Sequence, residues 1–427
     1  MRYWQALQRR RGARIGKNAA ALLTARAGAQ VLGLLLAGLL IRQAGAEGWG
    51  RYVTVLAVLR IGLLVADLGL NTFTVREFAR PAAARSPTLW GTVLGLKVLA
   101  ALVLIGVLNA AAGLVLSYRP WGRLVALGSM MVLPDTLNGL AAARIKAAQR
   151  MEIESLLGFL MSLGILLTGG ILLHFGYDEG FVLAAHALVG GLGALAFLSV
   201  LRRWEAPVPR CGGLREAGSV LRESAPFAVS NLAAMFYMRA DLLILASWHG
   251  AGAAGVYGAA YRLWESVGLL PASILDALFP EMSRVSGRER IRKAFGVLYA
   301  KARRVLLILA AALVVASAVV APWITSLLFN VSGSTHPATL LFYLLLASQP
   351  FTVLYLLAGH ALYALGQQRR VTVVLLGASA INITLNAFLV PRWGYWASAG
   401  AMLLTEGALF ALLERKRLQM TVEHNTG

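Results

Sequence analysis

Four arginines stand inside long apolar stretches of this chain: Arg26, Arg60, Arg239 and Arg262. A guanidinium is permanently charged and planar, and its fork of N–H donors matches a phosphate or carboxylate two bonds at a time. Held in hydrocarbon, such a group costs at least ~2.5–3.5 kcal/mol, so it must meet a partner, the protein interior or water. These four are the candidate substrate-binding residues. A pathway lined by several of them suits an anionic head group and poorly suits a cation. Five acids accompany them as supporting or coupling residues: Asp67, Asp241, Glu265, Asp276 and Glu406.

Spacing sorts these charges. Arg60 and Asp67 are seven apart and fall on roughly one helix face. Arg262 and Glu265 are one turn apart, close enough to pair. Arg239 and Asp241 are two apart, so a helix turns them ~200° from each other and they should not pair. Arg26 and Arg239 either bind a ligand or are held by structural partners. Asp67, Asp241 and Asp276 read as helix caps, partners of arginine or interface residues. Glu406, alone in the last apolar stretch, is either a proton- or cation-sensitive carboxylate or a buried hydrogen-bonded acid. Lys97 reads as a lysine snorkelling to a nearby interface, and Asp135, after Pro134, as the start of a re-formed helical segment. Pro271 should kink the long helix around it.

The elements that position these residues are membrane helices. The chain has 427 residues, of which 58% are hydrophobic. Apolar stretches of about 20 residues recur, each able to cross a ~30 Å hydrocarbon core. Twelve spans are expected, near 18–41, 50–70, 89–112, 121–141, 154–174, 181–201, 224–247, 253–279, 302–321, 338–364, 371–390 and 395–413. Thirty of the forty Lys and Arg fall in the N-terminus and in every second connection, while the alternate connections hold five. By the positive-inside rule both termini are then cytoplasmic. The net charge of +21 is explained by this orientation and by anionic lipid head groups, with no nucleic acid. No nucleotide-binding loop, HExxH or Cys/His cluster is present, so neither a built-in hydrolase nor a metal cofactor is expected. The longest external connection, 322–337, is too short to hold an acceptor as a membrane glycan polymerase would.

The second half echoes the first. Gly50-Arg51-Tyr52 matches Gly255-Val256-Tyr257 at an offset of 205, and His174-Phe175-Gly176-Tyr177 matches Arg392-Trp393-Gly394-Tyr395 at 218. Six spans separate the copies, which implies two parallel six-helix repeats. The expected organisation is a basic N-terminus (1–17), a first lobe (18–201), a linker (202–222), a second lobe (223–413) and a tail (414–427).

Three blocks carry a resemblance. Pro226-Phe227-Ala228 with Asn231, Arg239-Ala240-Asp241, Ala254-Gly255-Val256-Tyr257, Ala260-Tyr261-Arg262 and Leu278-Phe279-Pro280-Glu281 looks like the central signature of bacterial polysaccharide and O-antigen flippases. Gly48-Trp49-Gly50-Arg51-Tyr52 with Asp67-Leu68-Gly69-Leu70, and Asn382-Ile383 with Asn386, Val390-Pro391 and Thr405-Glu406, are similar to that family's second helix and last helix pair. The family lies in the multidrug/oligosaccharidyl-lipid/polysaccharide (MOP, MATE-like) exporter superfamily. The resemblance implies an all-α polytopic fold, two six-helix lobes around a central cleft, in a bacterial inner membrane. It implies an alternating-access flippase, not an enzyme, whose cargo is an undecaprenyl-pyrophosphate-linked oligosaccharide. Arg26 and Arg239 occupy helices that line the cavity in such proteins. A monomer is expected, working beside glycosyltransferases and a polymerase, with no cofactor and with proton or sodium coupling left open. The alternative is a cation-coupled exporter of small molecules, which would need an acidic cavity built on Asp241, Glu265 and Glu406.

Overall fold

The computed structural model describes residues 2–80, 86–115, 121–148, 150–203, 209–210, 212–285, 292–330 and 336–423. Among the described residues every regular element is a helix. The helical runs are α1 (Arg2–Asp67), α2 (Leu70–Phe78), α3 (Pro87–Val115), α4 (Trp121–Ser129), α5 (Val132–Ala147), α6 (Met151–His174), α7 (Glu179–Arg203), α8 (Leu214–Val285), α9 (Arg292–Phe329), α10 (Pro337–Leu346), α11 (Gln349–Ala364) and α12 (Gln368–Glu423). Among the described residues, seven segments are long and apolar enough to cross a membrane, and the bent pair α4–α5, 41° apart, makes an eighth. The protein is an all-α, multi-pass membrane protein.

Three runs are broken internally by glycine. Gly45 in α1 has φ 69° and ψ −177°, Gly250 in α8 has φ 75° and ψ −179°, and Gly394 in α12 has φ 53° and ψ −136°. A side chain excludes such a backbone, so these kinks are open to glycine. Gly45 and Gly250 are 205 positions apart, the offset of the first sequence echo. Gly394 lies 218 positions after Gly176, which also has positive φ, at 81°. The break within α8 falls at Gly250. In the C-terminal half, His249 Nε2 donates to Val390 O at 2.7 Å, tying the kink of α8 to the one in α12.

Two compact units divide the chain, residues 1–235 and 236–427. In the first unit, α1 packs along α6, α5 and α7 pack together, and α2 lies on α5. Its core joins Leu70, Phe73 and Phe78 to Trp90, Val93, Leu140, Ile145, Phe197 and Leu201, and is completed by Val220 of α8. The start of α8 is stitched to this unit. Arg210 N donates to Pro87 O at 3.0 Å, and Arg76 reaches Glu223 at 2.8 Å while its guanidinium lies 5.3 Å from the Phe227 ring centre. In the second unit Leu275 and Met282 pack with Phe295, Tyr299, Leu306, Val353 and Leu357, and α11 packs along α12.

Two details differ from the sequence expectation. The helix α9 continues through Pro322 to Phe329, so the first half of the expected external connection 322–337 is helical. Lys97 does not snorkel. It sits ten residues into α3, a depth of ~15 Å along the axis, and is 2% exposed. Residues 286–291, in the Arg- and Lys-rich stretch between α8 and α9, lie outside the described residues.

Candidate functional site

The first unit holds a polar cavity of about 290 Å³, lined by Arg60, Leu63, Leu64 and Asp67 of α1, Asn71 of α2, Lys97 of α3, Asp135, Thr136 and Asn138 of α5, and Met235 of α8. Arg60, Leu63, Leu64, Asp67 and Asn71 follow the three- and four-residue spacing of one helix face. The chain pauses between α1 and α2 at Leu68 and Gly69, with φ 51° and 75°. Gly69 is required there twice over: by its left-handed backbone, and because an added Cβ would stand 2.4 Å from Ser224 O and 2.6 Å from Ala228 N. The pause leaves Asp67 at a helix end, where Oδ2 accepts the Asn71 amide at 3.4 Å.

At the centre is Lys97. Its ammonium donates to Asp67 Oδ1 at 2.6 Å and to Asn71 Oδ1 at 2.6 Å, and both members of the ion pair are buried. Burying an ion pair in low dielectric is costly unless the remaining polar positions are also satisfied, and Asn71 does part of that. Across the cavity, α5 re-forms at Val132 after the Met130–Met131 break, three residues before the start expected at Asp135, and carries Asp135 in its first turn. Asn138 donates Nδ2 to Gly190 O at 2.9 Å, while its buried Oδ1 has no hydrogen-bond partner. The cavity thus gathers two cations, two carboxylates, two amides and a hydroxyl.

The second unit holds a separate polar chain along the two halves of α8. Arg239 NH2 donates to Glu265 Oε1 at 3.0 Å, with its guanidinium 5.6 Å from the Tyr261 ring centre. Glu265 therefore pairs with Arg239 and not with Arg262 one turn away, because the kink at Gly250 brings the halves of α8 together. Asp241 is turned away from Arg239 and buried, accepting from Tyr257 OH at 2.5 Å and from Leu242 N at 2.7 Å. Tyr257, Tyr261 and Trp264 form a ladder, with ring centres 5.8 Å and 5.2 Å apart. Glu406 is completely buried and accepts a hydrogen bond from Thr352. Its neighbour Thr405 accepts from Asn382 Nδ2 at 3.2 Å.

Of the nine residues singled out from the sequence, Arg60 and Asp67 meet in the cavity. Arg239 and Glu265 pair in the second unit, Asp241 is held there by Tyr257 and Leu242, and Arg262 lies on the same helix face as Glu265. Arg26 is exposed on the first half of α1. Asp276 is exposed, with His360 Nε2 3.6 Å away. Lys97, Thr136 and Asn138 were missed. The signal for Lys97 was available: an isolated cation three turns inside one span, with an acid, Asp67, in the span before it.

The chain matches the family model described as polysaccharide biosynthesis protein over residues 15–286, and the MatE model over 226–388. No curated protein matches. Among solved structures, the fold is similar to the lipid II flippase MurJ in an inward closed conformation, at 13% identity and TM-score 0.76 over 92% of this chain and 86% of that one. It is similar to an inward-facing multidrug resistance MATE transporter, at 14% identity and TM-score 0.71 over 93% and 96%. The fold is also similar to a MOP superfamily transporter from Pyrococcus furiosus whose binding pocket has reverse polarity, at 14% identity and TM-score 0.63 over 95% and 98%. The chain belongs to the polysaccharide biosynthesis protein family, and its fold is that of polytopic transporters of the MOP, MATE-like superfamily.

Proposed function

We infer that the protein is a flippase that moves a lipid-linked oligosaccharide, carried on a pyrophosphate, from the cytoplasmic to the outer leaflet of a bacterial inner membrane. The observation that carries this reading is the polar cavity bounded by Arg60 and Lys97 within the membrane-spanning first unit of a polysaccharide biosynthesis protein. A glycan–pyrophosphate head cannot enter hydrocarbon because its charges and hydroxyls would lose water. A polar cleft replaces that water while the lipid tail stays in the bilayer. Arg26, Arg60, Arg239 and Arg262 are the residues we assign to the head group, and no covalent chemistry is needed.

Counting α1, α8 and α12 as two crossings each about Gly45, Gly250 and Gly394, and α4–α5 and α10–α11 as one each, gives twelve crossings in two six-helix lobes. The common backbone of Gly45 and Gly250 supports a parallel repeat, and an even count with the basic connections on one side supports cytoplasmic termini. A membrane potential negative inside assists outward movement of an anionic head by ~2.3 kcal/mol per charge per 100 mV, so no coupling ion is required.

A second reading, a cation-coupled small-molecule exporter, is favoured by the MatE match and by the buried Glu406. Against it, Asp241, Glu265 and Glu406 are each engaged by a neighbouring side chain. Reconstitution with labelled pyrophosphate-linked glycan, reading its exposure in the opposite leaflet, separates the two. Acceleration over empty vesicles supports the flippase. Absence of acceleration with the matched native cargo, together with pH-driven efflux of an organic cation, supports the exporter.

A further inference from the structure

The cavity of the first unit carries a charge balance that bears on what enters it. Arg60 and Lys97 are matched by Asp67 and Asp135, so the walls offer no net field to draw in a pyrophosphate or an organic cation. What they offer is dense, mixed hydrogen bonding. Lys97 has three N–H donors and gives two of them to Asp67 and Asn71, which leaves a third. Asn138 commits its amide N–H to Gly190 O and keeps a buried acceptor without a donor. The Asp135 carboxylate has no hydrogen bond among the described residues. A buried acceptor left bare costs ~1–3 kcal/mol, which a ligand donor would recover.

A neutral ligand rich in groups that both donate and accept answers this inventory best, and the hydroxyls of a pyranose are such groups. The volume of about 290 Å³ sits at the small end of ligand pockets, suited to one ring and not to a chain of them. Leu63, Leu64 and Met235 supply apolar wall for the C–H faces of such a ring. Resting on the flippase reading above, we propose that this cavity is a sugar subsite, holding one uncharged residue of the glycan through its hydroxyls. Arg60, Asp135 and Asn138 read the sugar, and the Lys97–Asp67 pair fixes the wall they act from. Within the glycan–pyrophosphate head, the subsite separates recognition of the sugar, by Arg60 in this cavity, from recognition of the pyrophosphate by Arg26, Arg239 and Arg262.

The test uses the full-length protein in lipid nanodiscs, titrated with methyl glycosides of a hexose, an N-acetylhexosamine and a 6-deoxyhexose. Inorganic pyrophosphate and tetraphenylphosphonium serve as charged probes. We expect saturable, weak binding of one glycoside class, reduced at least about tenfold by Asp135→Asn and by the isosteric Thr136→Val, with pyrophosphate binding unaltered by either. A diazirine derivative of the bound glycoside should label wild-type protein on α3 or α5 near Lys97 and Asp135, a readout that needs no variant to fold. Absence of binding by every glycoside, labelling outside these walls, or binding indifferent to both substitutions would overturn the subsite. So would pyrophosphate binding that both substitutions abolish. Because these probes carry no lipid, their failure alongside intact flipping of lipid-linked glycan removes the sugar subsite alone. Glycoside binding without flipping removes the transport reading alone.

Discussion

Lys97 and Asp67 form an ion pair of 2.6 Å between α3 and the end of α1, with side chains 2% and 6% exposed. Neither charge has water to fall back on, so each depends on the other. Lys97→Met or Asp67→Asn alone should lower stability by about 3–5 kcal/mol, the cost of stranding a buried charge. The double variant Lys97→Met/Asp67→Leu should regain most of it. Thermal denaturation in detergent gives the comparison, and additive losses in the double variant would show that the two residues are not coupled.

Arg239 and Glu265 are a half-buried pair of 3.0 Å beside the Tyr261 ring. Arg239→Ala should abolish glycan flipping at near-normal membrane abundance, and Arg239→Lys should restore it only in part, since an ammonium lacks the planar fork. Glu265→Gln in the Arg239→Ala background should improve folded yield without restoring transport. Wild-type flipping by Arg239→Ala would reduce this arginine to a structural partner of Glu265.

Tyr257 supplies a hydroxyl donor to the buried Asp241 carboxylate. Tyr257→Phe should therefore cost about 1–3 kcal/mol, by leaving an acceptor short of a donor, and Asp241→Asn should lower folded yield. Both effects should appear in fluorescence-detected gel filtration of detergent extracts, without a change in substrate preference among the molecules that fold.

Gly69 and Gly95 should respond oppositely to alanine. At Gly69 the left-handed backbone costs ~1–2 kcal/mol for any Cβ, and the contact with Ser224 and Ala228 adds to it. Gly95 is helical and open, with nothing within 4 Å of an added Cβ, so Gly95→Ala should be neutral or stabilise by up to ~1 kcal/mol. Melting temperatures of the two variants settle the sign of each.

His336 caps α10, its Nδ1 accepting from Ala338 N at 3.2 Å. Burial holds its pKa below the ordinary 6.5, and a protonated ring could not accept. The cap is therefore intact above the unfolded value and is lost as pH falls through the lowered folded one. Protection factors of the Ala338 and Thr339 amides, taken relative to the intrinsic exchange rate at each pH, should fall as the pH drops from about 7.5 to about 5. His336→Asn, which caps without titrating, should flatten that dependence.

Much of this architecture is legible as patterning. Apolar length marked the helices, and the Gly-x-Tyr and Gly-Tyr echoes have offsets of 205 and 218 that reappear in the backbone of Gly45 with Gly250 and of Gly176 with Gly394. The seven-residue spacing of Arg60 and Asp67 placed both on one face, and both line the cavity. Pairing was less legible because it is decided by kinks. Within a straight helix Arg262 is the natural partner of Glu265, but the turn at Gly250 folds α8 back and delivers Arg239 instead. Lys97 went astray for a related reason: helix spacing ranks neighbours within a span and is silent about the charge facing it from the next one.

The stitching of Arg210, Val220 and Glu223 onto the first unit has a consequence for biosynthesis. When α7 has left the ribosome, the groove over Phe78 and Trp90 still lacks Val220, and nothing yet braces the pause at Gly69. The N-terminal unit can close only after the start of α8 has emerged and returned to it, so two coding fragments divided before residue 209 should each insert in the membrane and yet give a first half that waits, exposed to proteolysis, for the second.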